Sequence, residues 1–191
     1  MTTRPGRSGV LGQRGQSHDD RQHMSRKAPV VASCRCSSVR FEANGSPILS
    51  VVCYCDDCQE GARRIEALPD AGPVQDQDGG TSYVLYRKDR FSCVTGDQFL
   101  QGLRIEQQSP TKRVVASCCN SAMLLDFEKG HWVSVYRARL AADLPPPQMR
   151  IQTRFSPKHA ELPKDLPAYP GFPLKFIVKL MAARIAMLLH G

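Results

Sequence analysis

The spacing of eight cysteines constrains this 191-residue chain more than any other feature. Cys34-x-Cys36, Cys53-x-Cys55-x-x-Cys58 and Cys118-Cys119 put seven sulfurs into three tight groups. Neighbours this close cannot readily bridge one another within disulfide geometry, but they can converge on one ion. No apolar export segment precedes them, so a thiol-keeping cytoplasm is the expected compartment. Clustered thiolates then point to zinc, the redox-silent tetrahedral choice.

The groups differ in what they can build. Cys53, Cys55 and Cys58 supply three thiolates within six residues. Three protein ligands leave zinc one position for water or substrate, which is how a catalytic site is made. Cys34 and Cys36 need two further ligands, and Cys118 and Cys119 are the remaining pair, which predicts a closed, structural site. Cys93, inside Phe91-Ser92-Cys93-Val94, reads as a small buried apolar residue of a strand. The spacing is neither that of a zinc ribbon nor that of a two-histidine finger.

Short β-like runs follow one another at regular intervals. Val39–Phe41, Ile48–Val52, Tyr83–Arg87, Phe91–Thr95, Phe99–Glu106, Arg113–Ser117, Met123–Phe127 and Trp132–Arg137 alternate with turn residues. This is the pattern of a mainly β, antiparallel domain. A helix is expected from Asp56, capped by that residue with Gln59 completing a capping box, running towards Leu68 and stopping at Pro69. Asp70–Gly80 reads as a polar loop, Pro145–Pro173 as an irregular surface wrap, and Phe172–Gly191 as a helix. Three cations interrupt that last stretch, so no transmembrane segment is expected. Its apolar residues suit docking on the β domain or on a second subunit, which makes a homodimer conceivable.

The chain carries a formal net charge of +8. Six basic residues against two acidic ones give residues 1–29 a charge of +4, and Lys175, Lys179 and Arg184 give the C-terminal stretch +3. Only +1 remains for the segment between them. The expected organisation is a disordered basic tail over 1–29, a zinc-binding β domain over 30–171 and a C-terminal helix over 172–191. A core without a basic face is not expected to bind nucleic acid.

The ordered set of cysteine groups resembles the glutathione-dependent formaldehyde-activating enzyme family, a pattern the centromere protein V domain shares. The resemblance spans about Ala32–Pro173. It includes Arg113-Val-Val and Cys119-Asn120-Ser121, where the family has Arg-x-Phe-Cys-x-x-Cys-Gly-Ser, and also Arg154-Phe-Ser-Pro-Lys-His159 and Leu166-Pro-Ala-Tyr-Pro170. It implies an antiparallel β-tent fold, a structural zinc at Cys34, Cys36 and Cys119, and a labile zinc at Cys53, Cys55 and Cys58. Aligned on Cys119, Ala116 stands where the family has its first cysteine. Cys118 must then reach into the closed site, and adjacent strand residues point to opposite faces, so that requires a turn or bulge.

The implied activity is carbon–sulfur lyase chemistry that joins glutathione to formaldehyde and separates them again, with a small thiol as partner. The alternative is a zinc-stabilised binding module without catalysis. Tyr54, Asp56, Asp57 and His159 are candidate proton donors by position, although surface or capping roles are expected for each.

Overall fold

The computed structural model describes residues 1–2, 28–140, 144–157 and 161–190. The fold is mostly β with two α-helices, one of them C-terminal, and both of its sheets are open. Most of the expected basic tail over 1–29 lies outside the described residues, as does His159.

Three strands form the smaller sheet: β1 (Val30–Ser33), β2 (Arg40–Ala43) and β5 (Phe91–Thr95), in the order β1-β2-β5 and all antiparallel. The larger sheet has seven strands. They are β3 (Leu49–Cys53), β4 (Thr81–Arg87), β6 (Leu100–Leu103), β7 (Thr111–Ala116), β8 (Ser121–Phe127), β9 (Trp132–Tyr136) and β10 (Arg150–Ile151). Their order is β10-β3-β4-β9-β8-β7-β6. The turn-separated runs fall where the alternation placed them. β1 and β10 do not announce themselves, being short and set among polar or Pro-rich residues. β10 also corrects the antiparallel expectation, because it pairs parallel to β3. Within the Pro-rich stretch, Val52 N–H donates to the Met149 carbonyl and Tyr54 N–H to the Ile151 carbonyl.

The larger sheet is covered on both faces. One face carries Val84, Tyr86, Val133 and Val135 against Ala32, Phe41 and Ala43 of the smaller sheet and Val39 just before β2. The other carries Leu49, Val51, Tyr83, Leu85 and Tyr136 against two helices, α1 (Asp56–Glu66) and α2 (Leu174–His190). Burial on both faces explains why β3 is buried at every position. At Gly96 the backbone is left-handed, and any side chain would collide with the Ser38 carbonyl, so glycine alone suits that turn.

Helix α1 buries Cys58, Gly61, Ala62 and Ile65, a stripe at helical spacing. Its N-cap is Cys55 rather than Asp56, without a side-chain cap. Asp56 is instead the first helical residue, and Asp57 follows it. Both are exposed, where their charges favour the helix N-terminus. Gln59 forms no capping box. It donates to the carbonyls of Tyr54 and Phe155, tying the helix start to the late Pro-rich segment. Helix α2 buries Phe176 and Leu180 against the sheet. Its outer face leaves Leu174, Val178, Met181, Ile185 and Leu188 exposed. No helix among the described residues is long and apolar enough to cross a membrane.

Candidate metal centres

Cys53 ends β3, Cys55 caps α1 and Cys58 lies in the first helical turn. Strand alternation puts Val51 and Cys53 on the helix-covered face. The strand-to-helix switch brings Cys55 and Cys58 beside them, and the three sulfurs lie within 4.8 Å of one another. Cys53 donates to the Cys55 sulfur at 3.5 Å, and the Tyr83 hydroxyl donates to the Cys58 sulfur at 3.6 Å. Cys53 and Cys58 are buried, whereas Cys55 is half-buried.

The three thiols do not share charge equally. Hydrogen bonds from Cys53 and Cys58, together with the Arg113 guanidinium, bring Cys55 down to about 3. Cys53 is pushed well up, because it donates to Cys55 and Cys58 and is buried. The first negative charge of the metal-free group therefore rests on Cys55.

Arg113 is the residue that sequence reasoning missed. It is fully buried on β7, faces the triad's side of the sheet and donates to the Asp57 carbonyl. Among the described residues no carboxylate forms an ion pair with it, and its buried Nε has no hydrogen-bond partner. A buried unpaired cation is costly unless an anion balances it. Three thiolates around Zn²⁺ would carry a net charge of −1, which matches this cation. The donor set and its surroundings thus fit zinc.

A cavity of about 390 Å³ opens on the triad. Its walls include Leu85, Leu125, Trp132 and Ile151 from the strands and Phe176 and Leu180 from α2.

The other four sulfurs meet where a turn of the smaller sheet reaches a turn of the larger one. Cys34 and Cys36 lie in the turn between β1 and β2, while Cys118 and Cys119 lie in the Ser117–Asn120 turn between β7 and β8. Cys36 and Cys118 are 3.4 Å apart, Cys34 and Cys36 3.5 Å, Cys34 and Cys118 3.8 Å, and Cys118 and Cys119 3.9 Å. Zn–S bonds of about 2.3 Å imply sulfurs about 3.8 Å apart in a tetrahedron, so these four also fit zinc. Ala116 is buried and its carbonyl accepts from Cys119 N–H, closing the turn that lets both adjacent sulfurs approach Cys34 and Cys36, although Cys36 and Cys118 stay exposed. Asn120 supplies the left-handed residue, with φ of 48°, and its side chain donates to the Pro69 carbonyl.

Of the remaining expected residues, Asp57 lines the triad's cavity, whereas Tyr54 and Cys93 sit apart from both groups. Tyr54 is fully buried on the opposite side of β3's end, contrary to the surface or capping role expected of it. It donates to Asp78 at 2.6 Å and accepts from Arg150 Nε at 3.1 Å. Burial pushes its hydroxyl well up, so it is a structural donor. Cys93 is only half-buried, at the margin of the smaller sheet, rather than in the core.

Residues 29–67 match the family model of the glutathione-dependent formaldehyde-activating enzymes. The matched segment holds Cys34, Cys36, Cys53, Cys55 and Cys58, five of the seven grouped cysteines. A crystal structure of a Rhodobacter sphaeroides protein is similar at 16% identity, with a TM-score of 0.41, over 61% of this chain and 91% of that one. Comparison with curated proteins gives no match.

Proposed function

We propose that this protein is a zinc-dependent carbon–sulfur lyase that joins a small thiol such as glutathione to an aldehyde and reverses the addition. The observation that carries this reading is the contrast between the two cysteine groups. Four sulfurs converge on one position where two turns meet, whereas three converge at the floor of a cavity. Cys34, Cys36, Cys118 and Cys119 would hold a structural zinc. Cys53, Cys55 and Cys58 would hold the labile one, which, when bound, keeps an incoming thiol in its nucleophilic thiolate form.

The chain's own residues do the rest. Arg113 lies beside the sulfurs and offsets their negative charge; it also favours an oxygen that gains charge as the carbon–sulfur bond forms. The Tyr83 hydroxyl orients Cys58, and the Tyr136 ring packs 5.0 Å from that of Tyr83. Half-buried Cys55 lies at the accessible side of the group, and α2 keeps water from the apolar walls.

Exchange NMR of glutathione with formaldehyde tests the proposal. Zinc-loaded protein is expected to broaden the hydroxymethyl exchange signals, and Cys55→Ser to abolish the effect. Unchanged exchange with both zincs bound would make the protein a zinc-stabilised binding module instead.

A further inference from the structure

We propose that the cavity over Cys53, Cys55 and Cys58 receives the carbon chain or ring of an apolar aldehyde considerably larger than formaldehyde. This inference rests on the thiol-addition reading above and specifies the substrate class of that site. Size is the first argument. An apolar cavity of about 150 Å³ accommodates a benzene ring, and this one is about 390 Å³. A one-carbon aldehyde would leave most of it to water.

The second argument is the lining. Leu85, Leu125, Trp132 and Ile151 face Phe176 and Leu180 across the space, and α2 supplies one whole wall. Arg113 is the buried charge at the cavity, and it sits at the sulfur end. A carbonyl placed there would direct an alkyl or aryl substituent along the apolar walls. The polar thiol would occupy the open side near Cys55 and the exposed Asp57. The addition is balanced: the carbon–sulfur bond forms as the carbonyl π bond opens, and the thiol proton ends on the new hydroxyl. No oxidant or reductant enters.

Trp132 is the chain's single tryptophan and lines the cavity, so its fluorescence reports occupancy directly. The probes are straight-chain primary alcohols from propanol to octanol, inert analogues of the aldehydes, titrated into the zinc-loaded protein and into Cys55→Ser. Burial of about 0.8 kcal/mol per methylene predicts that Kd falls about fourfold with each added carbon, in both proteins. Ile177→Asp puts a carboxylate on the α2 wall at a position 42% exposed, and so compatible with folding. It is expected to weaken octanol binding at least tenfold.

A Kd independent of chain length, or no change in Trp132 emission and no calorimetric heat with octanol, would overturn the proposal. Exchange catalysis on formaldehyde is read separately. A fourfold slope without catalysis would support the cavity while overturning the thiol-addition reading. Catalysis with a flat slope would do the reverse.

Discussion

Gly61 is the residue against which Arg113 lies. A methyl group at Gly61 would overlap the Arg113 side chain at Nε, Cδ and Cζ. The absence of a side chain on α1 is therefore what lets a buried arginine from β7 reach the cysteine triad. Gly61→Ala must displace Arg113 from a packed interior, and overpacking of this kind costs about 1–3 kcal/mol. Chemical denaturation is expected to show that loss. The displaced charge should also weaken zinc retention at the triad in a chelator competition, while the four-cysteine group keeps its metal.

Metal-free protein offers a test of the electrostatics. With Cys55 held down to about 3, it stays a thiolate as the pH falls towards that value. Iodoacetamide labelling of Cys55, followed by peptide mass mapping, should therefore change little between pH 5 and pH 8. Hydrogen bonds to Ser38 bring exposed Cys36 to about 6, so its labelling should rise through that pH. Cys53, whose thiol is pushed well up, should label least.

Tyr54 anchors a polar network that is buried at Tyr54 and Arg150 and reaches the surface at Asp165. Asp78 accepts from Tyr54, Tyr54 accepts from Arg150, and Arg150 donates to Asp165 at 2.8 Å. Removing the hydroxyl leaves buried partners unsatisfied, at about 1–3 kcal/mol. Tyr54→Phe should lower stability by that amount in denaturant unfolding and leave zinc content unchanged. Loss of triad zinc in this variant would mean that Tyr54 acts on the metal centre.

Much of this was legible in the residues. Cysteine spacing separated the triad from the rest, and alternation placed most of the strands, because both depend on local periodicity. What depended on tertiary contact was not legible. Cys118 beside Cys119 reads as a strand pair with one sulfur facing away; only the turn through Asn120 brings both towards Cys34 and Cys36. Nothing local marks Arg113 as buried, because the space for it is the missing side chain of Gly61 on α1. Tyr54 looks exposed between two ligand-like cysteines because nothing local reveals Asp78 and Arg150 behind it. The composition of Phe172–Gly191 reads as a helix, but its position as a wall of the cavity follows only from the packing of Phe176 and Leu180.

The four-cysteine group ties the β1–β2 turn to the β7–β8 turn and so joins the two sheets. Loss of a ligand there should be felt globally, because binding energy at a structural zinc is folding energy. Cys34→Ser is expected to lower the thermal midpoint far more than Cys55→Ser, as read by circular dichroism.

Zinc stoichiometry on wild type, Cys55→Ser and Cys118→Ser, measured with circular dichroism on the same samples, tests the division of labour most directly. Two zincs per chain are predicted for wild type. One is predicted for Cys55→Ser with the fold retained, and Cys118→Ser should lose the other with a large drop in stability. Two zincs retained in Cys118→Ser, or global unfolding of Cys55→Ser beside a folded Cys118→Ser, would contradict it.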